Sequence, residues 1–173
     1  MAQKVRSLFA VDPTTNRFAD IRATEVTADE GDSVIALALS VLARRHRRGA
    51  VLASPDATRD YLRLEIGERH HELFGGLVMD NRPRIIAKEE LFYGTIDGAS
   101  VHPRVVVARA LTLNAAAVMF YHNHPSGVAE PSQSDLRITN RLKDALSLVD
   151  VRVLDHFIVS AEDSVSLAER GLI

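Results

Sequence analysis

The stretch Tyr121-His122-Asn123-His124-Pro125-Ser126-Gly127-Val128-Ala129-Glu130-Pro131-Ser132-Gln133-Ser134-Asp135 decides how this chain is read. The uncharged run Ala115 to Tyr121 before it reads as a buried strand. Alternate residues of a strand share a face, so His122 and His124 project the same way, roughly 6 to 7 Å apart along the backbone. A turn-rich loop follows, and a helix starts near Ser132 with Asp135 in its first turn. A strand-loop-helix path can fold that carboxylate back over the two imidazoles. Two nitrogens and one oxygen with a fourth position left open is the pattern of a catalytic zinc, whose bound water has its pKa lowered to about 7. A His-x-His by itself is usually structural, and Ser132-x-x-Asp135 is also a capping-box-like pair that satisfies free amides. Capping leaves carboxylate lone pairs unused, so both roles are compatible.

Working outward, the long helix after Ser132 turns Leu136, Leu142, Ala145, Leu146 and Val149 inward. Val151 to Leu154 and His156 to Val159 supply the last strand material. Upstream, His102-Pro103 opens a helix to about Asn114. Leu73 to Met79 and Arg84 to Phe92 form a hairpin about Asp80-Asn81-Arg82-Pro83. Ser54-Pro55-Asp56 starts a helix that runs to about Arg69. Ser33 to Arg48 is an amphipathic helix ending in Ala43-Arg44-Arg45-His46-Arg47-Arg48-Gly49, with Gly49 as its stop. A short apolar alternation, Leu8 to Val11, reads as a strand or arm. Helices alternating with strands imply an α/β fold, a mixed sheet sandwiched by helices. The expected division is an N-terminal extension over 1–50 and one domain over 51–173.

With 21 Lys plus Arg against 23 Asp plus Glu, the net charge of -2 gives no general attraction to polyanions. Nucleic-acid binding would therefore be local, and the cluster Arg44 to Arg48 is read first as a solvated helix end favoured by the helix dipole. The absence of cysteine excludes disulfides, thiolate metal sites and cysteine nucleophiles, so any metal must use nitrogen and oxygen ligands. No segment approaches the roughly 20 apolar residues of a membrane helix, and a cytoplasmic location without membrane attachment is expected.

The run His122-Asn123-His124-Pro125, six residues, Ser132, two residues, Asp135 resembles the JAB/MPN (JAMM) metallopeptidase motif. The surrounding HNHPSGVAEPS and the later LDHFIV look like its RadC branch. The resemblance runs from about Ser54 to the C-terminus and includes ELFYGTIDG and VHPR. It implies an MPN-type, cytidine-deaminase-like fold, Zn²⁺ as cofactor, and hydrolysis of an amide bond in a peptide or isopeptide-linked protein. Carried over by position, it implies that His122, His124 and Asp135 hold the zinc and that Ser132 helps hold the oxyanion. The family's proton-shuttling glutamate lies in a Glu-x-x-Gly-x-Leu setting, which Glu72-Leu73-Phe74-Gly75-Gly76-Leu77 fits, with Glu89 and Glu90 as rivals. Asn123 stands where many members outside the branch have serine or threonine. Full-length RadC proteins carry an N-terminal helix-hairpin-helix region, and the residues ahead of the domain are expected not to supply it. Two alternatives stand beside the enzyme: a non-catalytic scaffold, and a DNA-repair-associated binding protein. His156 is expected to be a partly buried, hydrogen-bonded histidine behind the ligands, and His46, His70, His71 and His102 to lie at the surface.

Overall fold

Seven consecutive buried residues, Leu73–Met79, form β1. A strand covered on both faces reads as a continuous apolar run, because neither side meets water. The computed structural model describes residues 22–45, 55–94 and 101–173. Its sheet has the order β2-β1-β3-β4-β5, with β2 at Ile85–Tyr93, β3 at Ala117–Asn123, β4 at Arg152–Val159 and β5 at Ser164–Ser166. β1 is antiparallel to β2 and β3, β3 is parallel to β4, and β4 is antiparallel to β5. The fold is therefore the expected α/β arrangement with a mixed sheet.

Among the described residues the α-helices are α1 (Ala28–Arg45), α2 (Pro55–Ile66), α3 (Pro103–Thr112) and α4 (Gln133–Ser147). On one face Leu62 and Ile66 of α2 pack with Leu77, Tyr121 and Phe157. On the other, Val106 and Ala110 of α3 and Leu142 and Leu146 of α4 pack with Phe74, Val118 and Phe120. Side chains such as Leu62 and Leu142, with no exposed surface, contribute about 1.5 to 3 kcal/mol each. The described residues divide into two compact units, one ending at Leu37 and one running Ala38–Ile173. No helix among them is long and apolar enough to cross a membrane.

Several boundaries differ from the expectation. The first helix begins at Ala28, not Ser33, because Thr27 and Glu30 cap it reciprocally: the Thr27 amide donates to Glu30 Oε2 at 2.9 Å and the Glu30 amide to Thr27 Oγ1 at 3.4 Å. Helix α2 stops at Ile66 and not near Arg69. At Gly67 the chain passes so close to Ser160 that an added Cβ would lie 2.7 Å from its carbonyl oxygen. Strand β3 runs two residues later than expected, because the left-handed Asn114 (φ 52°) and the residues after it complete the turn from α3. The three-residue β5 carries too short a pattern to be read. Leu8 to Val11, His46 to Gly49 and the segment 95–100 lie outside the described residues.

Candidate metal centre

Parallel pairing of β3 and β4 brings their C-terminal ends to one edge, where Asn123 faces Val159 and the His124 amide donates to the Val159 carbonyl at 2.8 Å. His122 is the penultimate residue of β3 and His124 follows its end, so one wall of the site is rigid sheet. The other wall is the start of α4. Ser132 is its N-cap: its hydroxyl accepts from the Asp135 amide at 3.1 Å, and its own amide donates to Asp135 Oδ2 at 2.7 Å. The capping box thus fixes the carboxylate, which lies 3.4 Å from His122 Nε2 through Oδ1 and 3.4 Å from His124 Nε2 through Oδ2. Burial pushes the Asp135 carboxyl up, but the two histidines outweigh it and hold it far below the usual carboxylate range. The Asp135 carboxylate in turn raises His124.

The hydrogen bonds are met together by one assignment of the ring protons. Thr139 Oγ1 donates to the Asp135 carbonyl at 2.6 Å, so it can only accept from His156 Nδ1, also at 2.6 Å. His156 has no exposed surface, and burial followed by the neighbouring His122 drives its pKa well down, so its ring is neutral and Nε2 carries a lone pair. That lone pair accepts from His122 Nδ1 at 2.8 Å. His124 Nδ1 donates to the Val128 carbonyl at 2.8 Å. In their neutral forms His122 and His124 are therefore both left with lone pairs on Nε2, and these two atoms face each other 2.9 Å apart beside a carboxylate. Such a group could take a cation. A tetrahedral zinc with bonds of about 2.0 to 2.1 Å needs donor atoms roughly 3.3 Å apart, close to the spacings found here. His122, His124 and Asp135 could hold a metal ion, their ligand atoms lying within 4.8 Å of one another.

A family model described as RadC-like JAB domain matches residues 52–172. The chain belongs to the RadC-like JAB family. It is similar to the UPF0758 protein of Stutzerimonas stutzeri, 62% identical over 130 residues that are 75% of this chain and 58% of that protein. It is also similar to the UPF0758 proteins of Cellvibrio japonicus, 58% identical over 135 residues (75% and 60%), and Azotobacter vinelandii, 55% identical over 139 (80% and 62%). The chain spans about three fifths of the length of these curated relatives.

In this RadC-like JAB domain the glutamates are sorted by their partners. Phe74 faces His122 at the end of the antiparallel β1–β3 pair, and Glu72, two residues earlier and just ahead of β1, falls on the same side by alternation. Glu72 is half-buried, its charge acts on His124, and its carboxylate has no hydrogen-bond partner among the described residues. Glu89 is held by Arg109 at 2.7 and 3.0 Å, and Glu90 by Arg69 at 2.9 Å and Tyr93 at 2.6 Å, both on the edge strand β2. The glycine of Glu-x-x-Gly also has a cause: a Cβ at Gly75 would sit 2.3 Å from the Tyr121 ring and 2.5 Å from the Glu89 carbonyl. Exposed Ser132 spends its oxygen on the cap, while its hydroxyl proton has no acceptor among the described residues. A groove of about 500 Å³ adjoins His124, lined by Glu68, Arg69, His70, Pro125 and Gly127.

His156 is completely buried and not partly so, and His70, His71 and His102 are exposed as expected, while His46 lies outside the described residues. Thr139 was not singled out. Its position four residues after Asp135 places it on the same face of α4, and that spacing is the signal that identifies it.

Proposed function

We propose that the protein is a zinc-dependent hydrolase of metallopeptidase or isopeptidase type, cleaving an amide bond in a peptide or an isopeptide-linked protein. The observation that carries this reading is the convergence of two imidazole nitrogens and a carboxylate, with Glu72 just ahead of β1 acting on His124 and its carboxylate free of hydrogen bonds among the described residues. His122, His124 and Asp135 would be the ligands. Bound zinc supplies a Lewis acid that lowers the pKa of water to about 7 and polarises a carbonyl. Glu72 takes the proton of the attacking water and passes it to the departing amine, which is otherwise a poor leaving group. The Ser132 hydroxyl donates to the oxygen that gains negative charge as the carbonyl becomes tetrahedral. The groove beside His124 gives the substrate chain room to lie along the site. A cytoplasmic location belongs to the same reading.

Glu72→Gln keeps the size of the side chain but cannot accept a proton. Zinc content and thermal stability should survive, while turnover of a peptide found by a library cleavage screen falls by roughly 10² to 10⁴. Parental turnover in Glu72→Gln would remove the glutamate from the scheme. A zinc-loaded parent that cleaves no peptide or isopeptide would favour the non-catalytic scaffold.

A further inference from the structure

The middle residue of His-Asn-His faces away from the candidate ligands. Asn123 has no exposed surface, and its amide lies on the α2 side of the sheet. Oδ1 accepts from the Leu73 amide at 2.7 Å, and Nδ2 donates to the Arg69 carbonyl at 3.1 Å and the His71 carbonyl at 3.2 Å. Both donors and the acceptor are thus used on one short segment, the connection from α2 into β1. His71 and Leu73 flank Glu72, whose own carbonyl accepts from the Gly94 amide at 2.8 Å. The backbone is therefore held just before, at and just after this glutamate. The carboxylate itself has no hydrogen bond among the described residues, and the bonds that hold this segment are those of its backbone.

We propose that Asn123 is the positioning residue for Glu72: it docks the loop ahead of β1 onto the end of β3, and so holds the Glu72 carboxylate within reach of His124. The inference rests on Glu72 being the proton acceptor. His122 and His124 face one side of β3 and Asn123 the other, so three consecutive residues hold both halves of the site in register. The metal half comes directly from the two imidazoles. The proton-transfer half comes from the amide, acting on a different strand. Serine is too short to span Leu73, Arg69 and His71 together, so the length of asparagine matters as well as its polarity.

The test compares Asn123→Ala and Asn123→Ser, as zinc-loaded full chains, with the parent and with Glu72→Gln; the serine variant serves if alanine does not fold. About one zinc per chain should remain, since no ligand is touched. Amide exchange at Leu73 should quicken. With a peptide that the parent cleaves, kcat should fall roughly 10- to 100-fold, with KM changed by no more than about twofold. Placed in the Glu72→Gln background, the same substitution should alter the residual rate by less than about twofold, because the group it positions is no longer functional. Folded, zinc-loaded Asn123 variants with parental kcat overturn the proposal, as does an equal loss in both backgrounds, which would mark a purely structural amide. Parental turnover in Glu72→Gln instead overturns the reading of Glu72 itself, and the positioning role with it.

Discussion

Asp155 and His156 are neighbours on β4, both buried and polar, yet their bonds lead to opposite ends. The Asp155 carboxylate is closed upon its own chain: Oδ1 accepts from the His156 and Ala168 amides at 2.7 and 3.0 Å, and Oδ2 from the Ser166 hydroxyl at 2.6 Å. These bonds tie β4 to the C-terminal turn and require nothing further. The chain through His156 runs from the Asp135 carbonyl through Thr139 to His122, whose Nε2 lies 2.9 Å from His124 Nε2 and 3.4 Å from Asp135 Oδ1. Buried polar groups are nearly always satisfied. A network that closes is architecture, whereas one that opens onto two imidazole nitrogens and a carboxylate could take a metal ion.

The largest test of that contrast removes a ligand. The purified parent should carry about one zinc per chain, and His124→Ala or Asp135→Ala should carry almost none by elemental analysis. Full zinc retention in both variants would sink the assignment of the open network.

A second test exchanges the two neighbours. His156→Leu leaves His122 Nδ1 without an acceptor and should weaken zinc affinity by about 10- to 100-fold, measured by chelator competition. Asp155→Ala strands three donors and should cost roughly 2 to 4 kcal/mol in urea unfolding, with zinc affinity of the folded fraction unchanged. Equal effects of the two substitutions on zinc would erase the distinction.

The smallest effect expected is on pH dependence without metal. His124 is raised from 6.5 by Asp135, so its contribution is complete below pH 6.5 and is lost as pH rises through the higher native value. Burial holds His156 well below 6.5, so it weakens the fold as pH falls under 6.5. Asp135, held below 3.8 by the two histidines despite burial, loses its contribution only as pH falls below 3.8. Metal-free protein should therefore be most stable near pH 6.5 and weaken on either side. The zinc-loaded form should only lose stability on acidification from pH 8, because protons compete for Nε2. Identical profiles for the two forms would mean that the histidines hold no ion.

Much of this was legible in the sequence. Both strands of the hairpin, the strand bearing the histidines and the helix bearing Asp135 are each set by local periodicity or by a cap. The three candidate ligands lie within fourteen residues of chain, from His122 to Asp135. What was hidden depends on pairing between distant strands. The proposed preference for Glu72 over Glu89 and Glu90 rests on the β1–β3 pairing and on Arg69 and Arg109 engaging the rivals. The hydrogen bonds of Asn123 cross about fifty residues of sequence, and no spacing rule finds them. The early start of α1 is a different case, since Thr27-x-x-Glu30 was present as a capping box.

The capping box at Ser132 also bears on how an ion would arrive. Asp135 is tethered by the Ser132 amide as soon as α4 forms, so its rotamer is chosen during folding and not at the moment of coordination. The histidines are likewise locked, His122 by His156 and His124 by the Val128 carbonyl. An incoming cation would meet three donors whose conformational entropy has already been surrendered. Uptake should then be governed by the ion shedding its hydration water and by displacement of any proton, with little rearrangement of the protein.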